Sequence, residues 1–216
     1  MRPHVVAQLA VSIDGATTGF EADHARFYAM ATLWQEDVTL IGADTLLAQE
    51  SAVRVAPRPG AREAGPLLAV VDSRHRVHNL EELRDLGYWS GVLALYSELT
   101  PARALDSTTP ELVTGYDHVD LAEILDLLGR RGVKLVRVDS GGGLLGAMFD
   151  LGLVDELSLL VHPVMTGAGP RWNDSFTGHL NLELANVETF KTGVTWLRYC
   201  VAGSPLEVAE TVGATG

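Results

Sequence analysis

A glycine-rich turn between a predicted strand and a predicted helix is the segment whose residue types best suit phosphate binding. An apolar strand over 133–138 is followed by Asp139 and then by Ser140, Gly141, Gly142 and Gly143. Glycines at the start of a helix let backbone N–H groups approach a pyrophosphate. With Gly146 they also fit G-x-G-x-x-G, but the next strand runs to His162 and Pro163 without the acidic residue that binds a ribose. The turn is therefore either a phosphate site or a tight connection.

Two other strand ends carry groups that could hold an anion. Gly42 and Thr45 follow an apolar strand, where a hydroxyl and free N–H groups could cap a helix or bind an anion. Ser73 and Arg74 follow another strand, and together they could hold a nucleotide 2′-phosphate or form a simple polar turn. Ligands of open α/β sheets lie beyond the carboxyl ends of strands, where all these residues are expected.

Two aspartates are candidates for orienting a substrate or delivering a proton. Asp14 follows the first predicted strand and could instead form an Asx turn. Asp23 lies at the start of the first predicted helix, where a helix cap is the simpler interpretation. The scattered histidines show no H-E-x-x-H spacing, and no G-x-S-x-G elbow is present. The sequence therefore predicts no metal and no serine-hydrolase chemistry.

A local group of arginines interrupts an otherwise acidic chain. Residues 54–76 carry a net charge of +3, so the rest of the chain sums to −15 against a total of −12. Arg54 and Arg58 could hold the phosphate of a substrate, or the segment could be a solvated loop.

Composition narrows the class of protein. The 216 residues suffice for one domain, which we place at 1–203, with a disordered tail at 204–216. The acidic charge disfavours nucleic-acid binding, and the single Cys200 excludes an internal disulfide. The absence of a long apolar run predicts a cytoplasmic protein without a membrane partner.

Strand and helix patterns alternate along the chain, which predicts an α/β fold with a mostly parallel mixed sheet. The last two strands lack an intervening helix and predict an antiparallel C-terminal edge. The predicted strands are 4–13, 37–41, 67–71, 92–96, 112–114, 133–138, 156–165, 181–190 and 194–202. The predicted helices are 21–36, 44–49, 80–86, 121–128 and 144–151, and a loop is predicted over 53–66.

In this order the segments resemble the reductase domain of the bifunctional riboflavin-biosynthesis deaminase–reductase, within the dihydrofolate-reductase-like superfamily. The zinc motif of the deaminase half is absent. The resemblance implies a three-layer dihydrofolate-reductase-like fold. The matching segments are 7–15, 38–48, 68–74, 138–143 and 152–163, followed by 167–169.

The resemblance also implies NADPH as the cofactor and a homodimer. Asp14 would lie near nicotinamide and substrate, and Asp23 resembles the helical position that carries the substrate carboxylate in dihydrofolate reductase. The implied cofactor contacts are Gly42 and Thr45 at phosphate and ribose, Ser73 and Arg74 at the 2′-phosphate, and Ser140, Gly141, Gly142 and Gly143 at pyrophosphate and nicotinamide.

The implied activity is NADPH-dependent reduction of a ribosylamino-pyrimidine phosphate, of the 5-amino-6-(5-phosphoribosylamino)uracil reductase type in riboflavin biosynthesis. The family's lysine after Asp-Gly is Ala16 here, its Asp-x-Pro is 49–51, and its glutamate before the glycines is Asp139. The cofactor side therefore follows the pattern more closely than the substrate side. A dihydrofolate or pterin reductase, an NADP-binding protein without turnover and a packed domain without cofactor remain alternatives.

Overall fold

The computed structural model describes residues 1–55, 65–101 and 107–202, with the backbone alone for 50–55. Nine strands are described: β1 (His4–Ser12), β2 (Val38–Gly42), β3 (Leu67–Val71), β4 (Gly91–Tyr96), β5 (Glu111–Val113), β6 (Leu135–Val138), β7 (Glu156–His162), β8 (Leu182–Thr189) and β9 (Thr195–Val201). Five helices accompany them: α1 (His24–Ala31), α2 (Ala43–Val55), α3 (Leu80–Asp85), α4 (Leu121–Arg130) and α5 (Gly142–Asp150).

The described strands form one sheet in the order β5-β4-β3-β2-β6-β1-β7-β9-β8. Strands β1 to β7 pair in parallel, whereas β9 pairs antiparallel with both β7 and β8. The predicted mixed sheet with an antiparallel C-terminal edge is therefore confirmed. The late strand β6 inserts between β2 and β1, which brings the glycine turn to the middle of the sheet.

Helices cover both faces of the sheet, as the three-layer prediction requires. On one face, Leu40, Leu93 and Leu157 pack in a core with α4 and α5. On the opposite face, α1 packs with Val6 and Trp196, while α2 and α3 pack in a separate core. Because β1 alternates between the faces, its residues contribute to both layers.

Three of the differences from the predicted helix boundaries follow from the local sequence. Helix α1 covers 24–31 instead of 21–36, because Asp23 caps its start and Gln35 adopts a left-handed φ of +46° beyond its end. Helix α2 continues to Val55, so the loop predicted from residue 53 begins too early. The first proline of that segment is at position 57, which leaves 50–55 free to continue the helix.

The third difference lies at the glycine turn. Helix α5 starts at Gly142, two residues earlier than predicted, because Gly141 takes the capping position with extended backbone. Strand β7 ends at His162, before Pro163, rather than at residue 165. Within the described segments, no helix has the length and apolar character needed to cross a membrane.

Candidate active site

The carboxyl ends of the parallel strands bring the predicted site residues to one edge of the sheet. Asp14 follows β1, Ser73 follows β3, and Ser140 follows β6, with Gly42 as the last residue of β2. Strands β2 and β6 are direct neighbours, and β6 also pairs with β1. Three of the four ends therefore meet at the centre of this edge, whereas the end of β3 lies one strand further out.

The starts of α2 and α5 are joined by a hydrogen bond. Thr45 Oγ1 and Ser140 Oγ are 2.8 Å apart. A Cβ atom on Gly42 would lie 3.2 Å from Ser140 Oγ, so glycine at this position lets the two turns approach each other. We call the residues of these two turns the glycine edge; it consists of Gly42, Thr45, Ser140, Gly141, Gly142 and Gly143.

The start of α5 has no side-chain cap. Gly142 adopts a left-handed φ of +58°, and its N–H donates to Trp172 O at 3.3 Å. Gly141 caps the helix with no side-chain hydrogen bond, and a Cβ on Gly143 would meet nothing within 4 Å. Bare backbone and the positive end of the helix dipole together suit an anionic group.

Gly146 has a different role from the other glycines of the turn. A Cβ at this position would lie 2.7 Å from the Cβ atom of Ser175. The third glycine of the G-x-G-x-x-G pattern therefore allows residues 173–176 to pack against α5 and does not face the edge.

Asp14 anchors the loop that follows β7. Its Oδ1 accepts hydrogen bonds from Ser12 Oγ at 2.6 Å and from Thr166 N at 3.2 Å, and its Oδ2 accepts from Gly167 N at 3.0 Å. Arg171 Nε donates to Asp14 O at 2.8 Å. The Ser12 hydroxyl first, and then the Thr166 N–H, hold the pKa of Asp14 well below its usual range. A carboxylate this stable as an anion positions a loop more readily than it delivers a proton.

Asp23 caps the start of α1 by accepting from the backbone N–H of Arg26, and it also forms an ion pair with the Arg26 side chain. Its Oδ1 accepts from Arg26 N at 3.0 Å and its Oδ2 from Arg26 Nε at 2.9 Å. The Arg26 side chain is the main cause of the lowered pKa of Asp23. The backbone N–H of Asp23 donates to His162 Nε2 at 2.9 Å, so the buried imidazole fixes the start of the helix.

Ser73 and Arg74 follow β3, and they differ in whether the side chain already has a partner within the protein. Ser73 Oγ already accepts a hydrogen bond from Val119 N at 3.2 Å. The side chain of Arg74 is exposed, and no described residue contacts it through a hydrogen bond or ion pair. Arg74 is therefore free to bind an anion from solvent.

Sequence reasoning passed over Arg76, although it belongs to the arginine-rich segment. Its guanidinium pairs with Asp44 at the start of α2, and its Nε lies 3.9 Å from Asp72 Oδ1. Arg76 therefore ties the end of β3 to the start of α2. Of the two predicted phosphate ligands, Arg58 lies outside the described residues, and only the backbone of Arg54 is described, within α2.

A buried polar cluster was also missed, on the sheet face that α1 and α2 cover. Arg137, only 4% exposed, donates from Nε to Glu36 Oε1 at 2.7 Å and from Nη1 to Asp139 Oδ2 at 3.2 Å. Longer contacts of 3.4 Å join it to Gln8 Oε1 and Thr39 Oγ1. We call these five residues the polar strip. Their side chains come from parts of the chain far apart in sequence, so no local motif announces them.

The chemistry of the edge fits a dinucleotide. The glycine edge supplies backbone N–H groups for a pyrophosphate, and Arg74 supplies a free cation for a further phosphate. Within the three described segments, no three His, Cys, Asp or Glu side chains are grouped as a metal ion requires.

Comparison with known sequences identifies a family for this chain. Residues 3–196 match the model of the RibD C-terminal domain. A 2,5-diamino-6-ribosylamino-4(3H)-pyrimidinone 5′-phosphate reductase of Archaeoglobus fulgidus is 27% identical over 184 residues, which cover 77% of this chain and 83% of the relative.

Solved structures show the same fold. A pyrimidine reductase-like protein of Corynebacterium diphtheriae superposes with a TM-score of 0.72 at 19% identity, with 92% of each chain covered. Dihydrofolate reductase of Enterococcus faecalis, in complex with NADP(H), superposes with a TM-score of 0.51 at 9% identity over 92% of this chain and 96% of that one. With its strand order, its glycine edge and a family match over 3–196, the chain belongs to the RibD C-terminal domain family and has the dihydrofolate-reductase-like fold.

Proposed function

We propose that this protein is an NADPH-dependent reductase of a ribosylamino-pyrimidine phosphate. The observation that carries the proposal is the glycine edge, where α2 and α5 begin side by side and Thr45 and Ser140 hold them together. Membership of the RibD C-terminal domain family supports a reductase, and the Archaeoglobus fulgidus relative supports the pyrimidine substrate.

The cofactor contacts follow the edge from its centre outward. Ser140, Gly141, Gly142 and Gly143 would hold the pyrophosphate and border the nicotinamide, and Gly42 and Thr45 would contact the phosphate and ribose region. Ser73 and the free guanidinium of Arg74 would bind the 2′-phosphate that distinguishes NADPH from NADH. NADPH, when bound, supplies the hydride.

The protein's own contribution is positioning and exclusion of water. Reduction of the ring-opened sugar imine adds a hydride to the imine carbon and a proton to its nitrogen, which gives an amine. Asp14 holds residues 166–171 at the end of β1 through Thr166, Gly167 and Arg171. The low pKa of Asp14 favours a positioning role, with the proton coming from solvent. Arg54 or Arg58 would bind the phosphate of the substrate.

The alternative of a dihydrofolate or pterin reductase loses its main support. That interpretation depended on Asp23 as the carboxylate that binds the substrate. Both oxygens of Asp23 are instead engaged by Arg26, as a helix cap and as an ion pair.

We also propose a homodimer, in which β8 contributes to the interface. Leu182, Leu184 and Val187 of this edge strand are 37%, 58% and 55% exposed. A register shift between Leu184 and Asn186 turns Val187 to the same face as Leu184. Exposed apolar groups on an edge strand favour association. Sedimentation of the wild type and of the double variant Leu184→Lys/Val187→Lys tests this proposal. The wild type should be a dimer and the variant a monomer, and a monomeric wild type would contradict the proposal.

The activity is tested by NADPH oxidation with the purified chain and the diaminopyrimidinone phosphate named for the Archaeoglobus fulgidus relative. We expect turnover that depends on both NADPH and the pyrimidine. Tight NADPH binding without oxidation would favour a binding role, and a lack of both would contradict the proposal.

A further inference from the structure

His162 is a buried histidine that the proposed mechanism does not use. It is the last residue of β7 and is 4% exposed. Its Nε2 accepts a hydrogen bond from the backbone N–H of Asp23 at 2.9 Å, and its Nδ1 lies 3.1 Å from Leu160 O and 3.3 Å from Val11 O. A backbone N–H only donates and a carbonyl oxygen only accepts, so these partners assign the proton to Nδ1 of a neutral imidazole.

This arrangement has no place for a second proton. An imidazolium carries an N–H at both ring nitrogens, so its Nε2–H would point at the N–H of Asp23 and the hydrogen bond between them would be lost. Histidine is the side chain that ordinarily gains this proton between about pH 8 and pH 5. A conformation in which the bond to Asp23 is broken therefore binds the proton more readily than the bonded one, and a falling pH favours the broken bond.

The strands beside His162 place uncharged residues next to it. On β1 the residue in register with His162 is Ser12, and on the β9 side the pairing ends with Thr195 opposite Val161. The carboxylate nearest to Ser12 is that of Asp14, which accepts the hydrogen bond of the Ser12 hydroxyl and is also held by the loop after β7. Neither strand therefore supplies a free carboxylate that would offset a charge on the ring.

The start of α1 supplies a charged pair, but its carboxylate is already occupied. Both oxygens of Asp23 accept hydrogen bonds from Arg26, at 3.0 Å and 2.9 Å. Arg26 is the main cause of the lowered pKa of Asp23, and His162 contributes the least of the causes. The contact that depends on the protonation of His162 is therefore the one to the backbone N–H of Asp23.

That contact fastens a short segment of chain to the sheet. We call residues 18–22 the strap. Before the strap, the N–H of Thr17 is bonded to the loop after β7, and after the strap Asp23 is bonded to His162. Among the described residues, those of the strap form no hydrogen bond beyond the strap itself and the first residue of α1. Phe20 of the strap packs against His162, with ring centroids 5.0 Å apart.

The strap leads from the glycine edge to α1. A Cβ atom on Gly141 would lie 3.4 Å from Thr17 Cγ2, so the residue before the strap already touches the edge. One turn beyond the strap, Phe27 O accepts a hydrogen bond from Gln8 of the polar strip at 2.8 Å. A movement of the strap would therefore occur between the two regions that form the candidate site.

We propose that His162 is a pH-sensitive latch, which as a neutral imidazole fastens the strap and the start of α1 to β7 and on protonation releases them. The proposal concerns the conformation of the chain, and it stands or falls independently of the proposed cofactor and substrate. Release is confined to the strap and the first turn of α1, because Thr17 is held by Pro170 O and not by His162.

Amide hydrogen exchange in the full chain tests the latch, with rates measured by NMR and corrected for the intrinsic effect of pH. Between about pH 7.5 and about pH 5, we expect the protection of the Asp23 N–H to fall about fivefold or more, since one net hydrogen bond is lost. The protection of the Thr17 N–H should change by less than about twofold. An Asp23 N–H that keeps its protection at the lower pH, or an equal loss at both amides, would overturn the latch.

His162→Gln separates protonation from the rest of the side chain, with His24→Gln as the matched control. A glutamine oxygen can accept from the N–H of Asp23 but does not titrate, so the protection of that N–H should differ less than about twofold between the two pH values. His24 is exposed and directly follows Asp23, so His24→Gln should keep the wild-type response. A wild-type response in His162→Gln would contradict the proposal.

Nitrogen NMR of the imidazole keeps the proposal testable if His162→Gln does not fold. At about pH 7.5 the wild-type ring should carry its proton on Nδ1 and none on Nε2. Nε2 should then gain a proton over the same range of pH in which the Asp23 N–H loses protection. A proton on Nε2 at the higher pH, or a protonated ring with the Asp23 N–H still protected, would be evidence against the latch.

Discussion

The glycine edge and the polar strip adjoin each other, but they are built in different ways. The edge consists of backbone and two hydroxyl groups, with glycines where a side chain would obstruct, as at Gly42. The strip consists of charged, amide and hydroxyl side chains on β1, β2 and β6, directly after β6 and in the turn before β2, joined through Arg137. An edge of backbone suits a phosphate of any dinucleotide, whereas each side chain of the strip depends on its buried partners.

The difference also bears on tolerance to change. A side chain added at a glycine of the edge affects ligand binding by the space that it fills and by its charge. Where that space is open, the fold can remain intact. Removing a member of the strip leaves a buried partner unpaired, which costs stability. Variants of the edge should therefore change cofactor binding at nearly unchanged stability, whereas variants of the strip should change stability.

Gly143→Asp should give the largest effect and confine it to the edge. A carboxylate at the start of α5 interacts favourably with the helix dipole and removes a flexible glycine, so the melting temperature should not fall. The same charge would face the phosphate site proposed at this turn, so the Kd for NADPH should rise at least about 100-fold, since like charges in contact cost several kcal/mol.

Gly143→Ala is the matched control for that variant. A Cβ at this position meets nothing within 4 Å, so folding should be unaffected and the Kd for NADPH should change much less than in Gly143→Asp. Calorimetry and thermal melts measure both properties. Unchanged NADPH binding in Gly143→Asp would show that the phosphate does not lie at this turn.

Arg74→Ala tests the proposed 2′-phosphate site, which follows β3 and lies one strand outside the glycine edge. Loss of a charge-assisted contact to the 2′-phosphate should weaken NADPH about 10-fold to 100-fold, while NADH binding changes little. Paired titrations with the two cofactors measure the ratio. Equal weakening of both would remove Arg74 from the 2′-phosphate site.

Asp14→Asn should destabilise the loop that follows β7, in a way that depends on pH. The pKa of Asp14 is lowered in the folded chain, mainly by the Ser12 hydroxyl, so its stabilising effect is present above the unfolded pKa of about 3.9. That contribution is lost as the pH falls through the folded pKa. The melting temperature of Asp14→Asn should therefore lie below that of wild type at pH 7, and the gap should narrow below about pH 4. A gap independent of pH would contradict the anchoring role of the ionised carboxylate.

Asp23→Asn should have the smallest effect, because asparagine caps a helix about as well as aspartate. Turnover should stay within about threefold of wild type, and the loss of the partly exposed pair with Arg26 should cost less than about 1 kcal/mol. Steady-state kinetics measure this. Abolished turnover with NADPH binding intact would return Asp23 to the role of substrate ligand and favour a pterin substrate.

The sequence predicted the fold and the glycine edge because both depend on local patterns. Apolar runs and the glycines at 141–143 identify strands, a turn and a helix within one stretch of chain. The strip could not be predicted, because Glu36 and Arg137 are 101 residues apart and meet only after β6 inserts beside β2. Arg137 lies within an apolar strand pattern, and its ion-pair partners cannot be inferred from the sequence without the strand order. The end of α2 was not predicted, because the prolines and glycines that indicate a loop begin only at Pro57, beyond Val55.

The most direct test of the central claim follows the transferred hydrogen. The purified chain is given NADPH with deuterium at the transferable position and the diaminopyrimidinone ribosyl phosphate, and the product is examined by mass spectrometry and NMR. We expect one deuterium on the former imine carbon of a ribityl product, formed in proportion to the NADPH oxidised. Oxidation of NADPH without deuterium in the pyrimidine product, or tight NADPH binding with no oxidation, would contradict the claim.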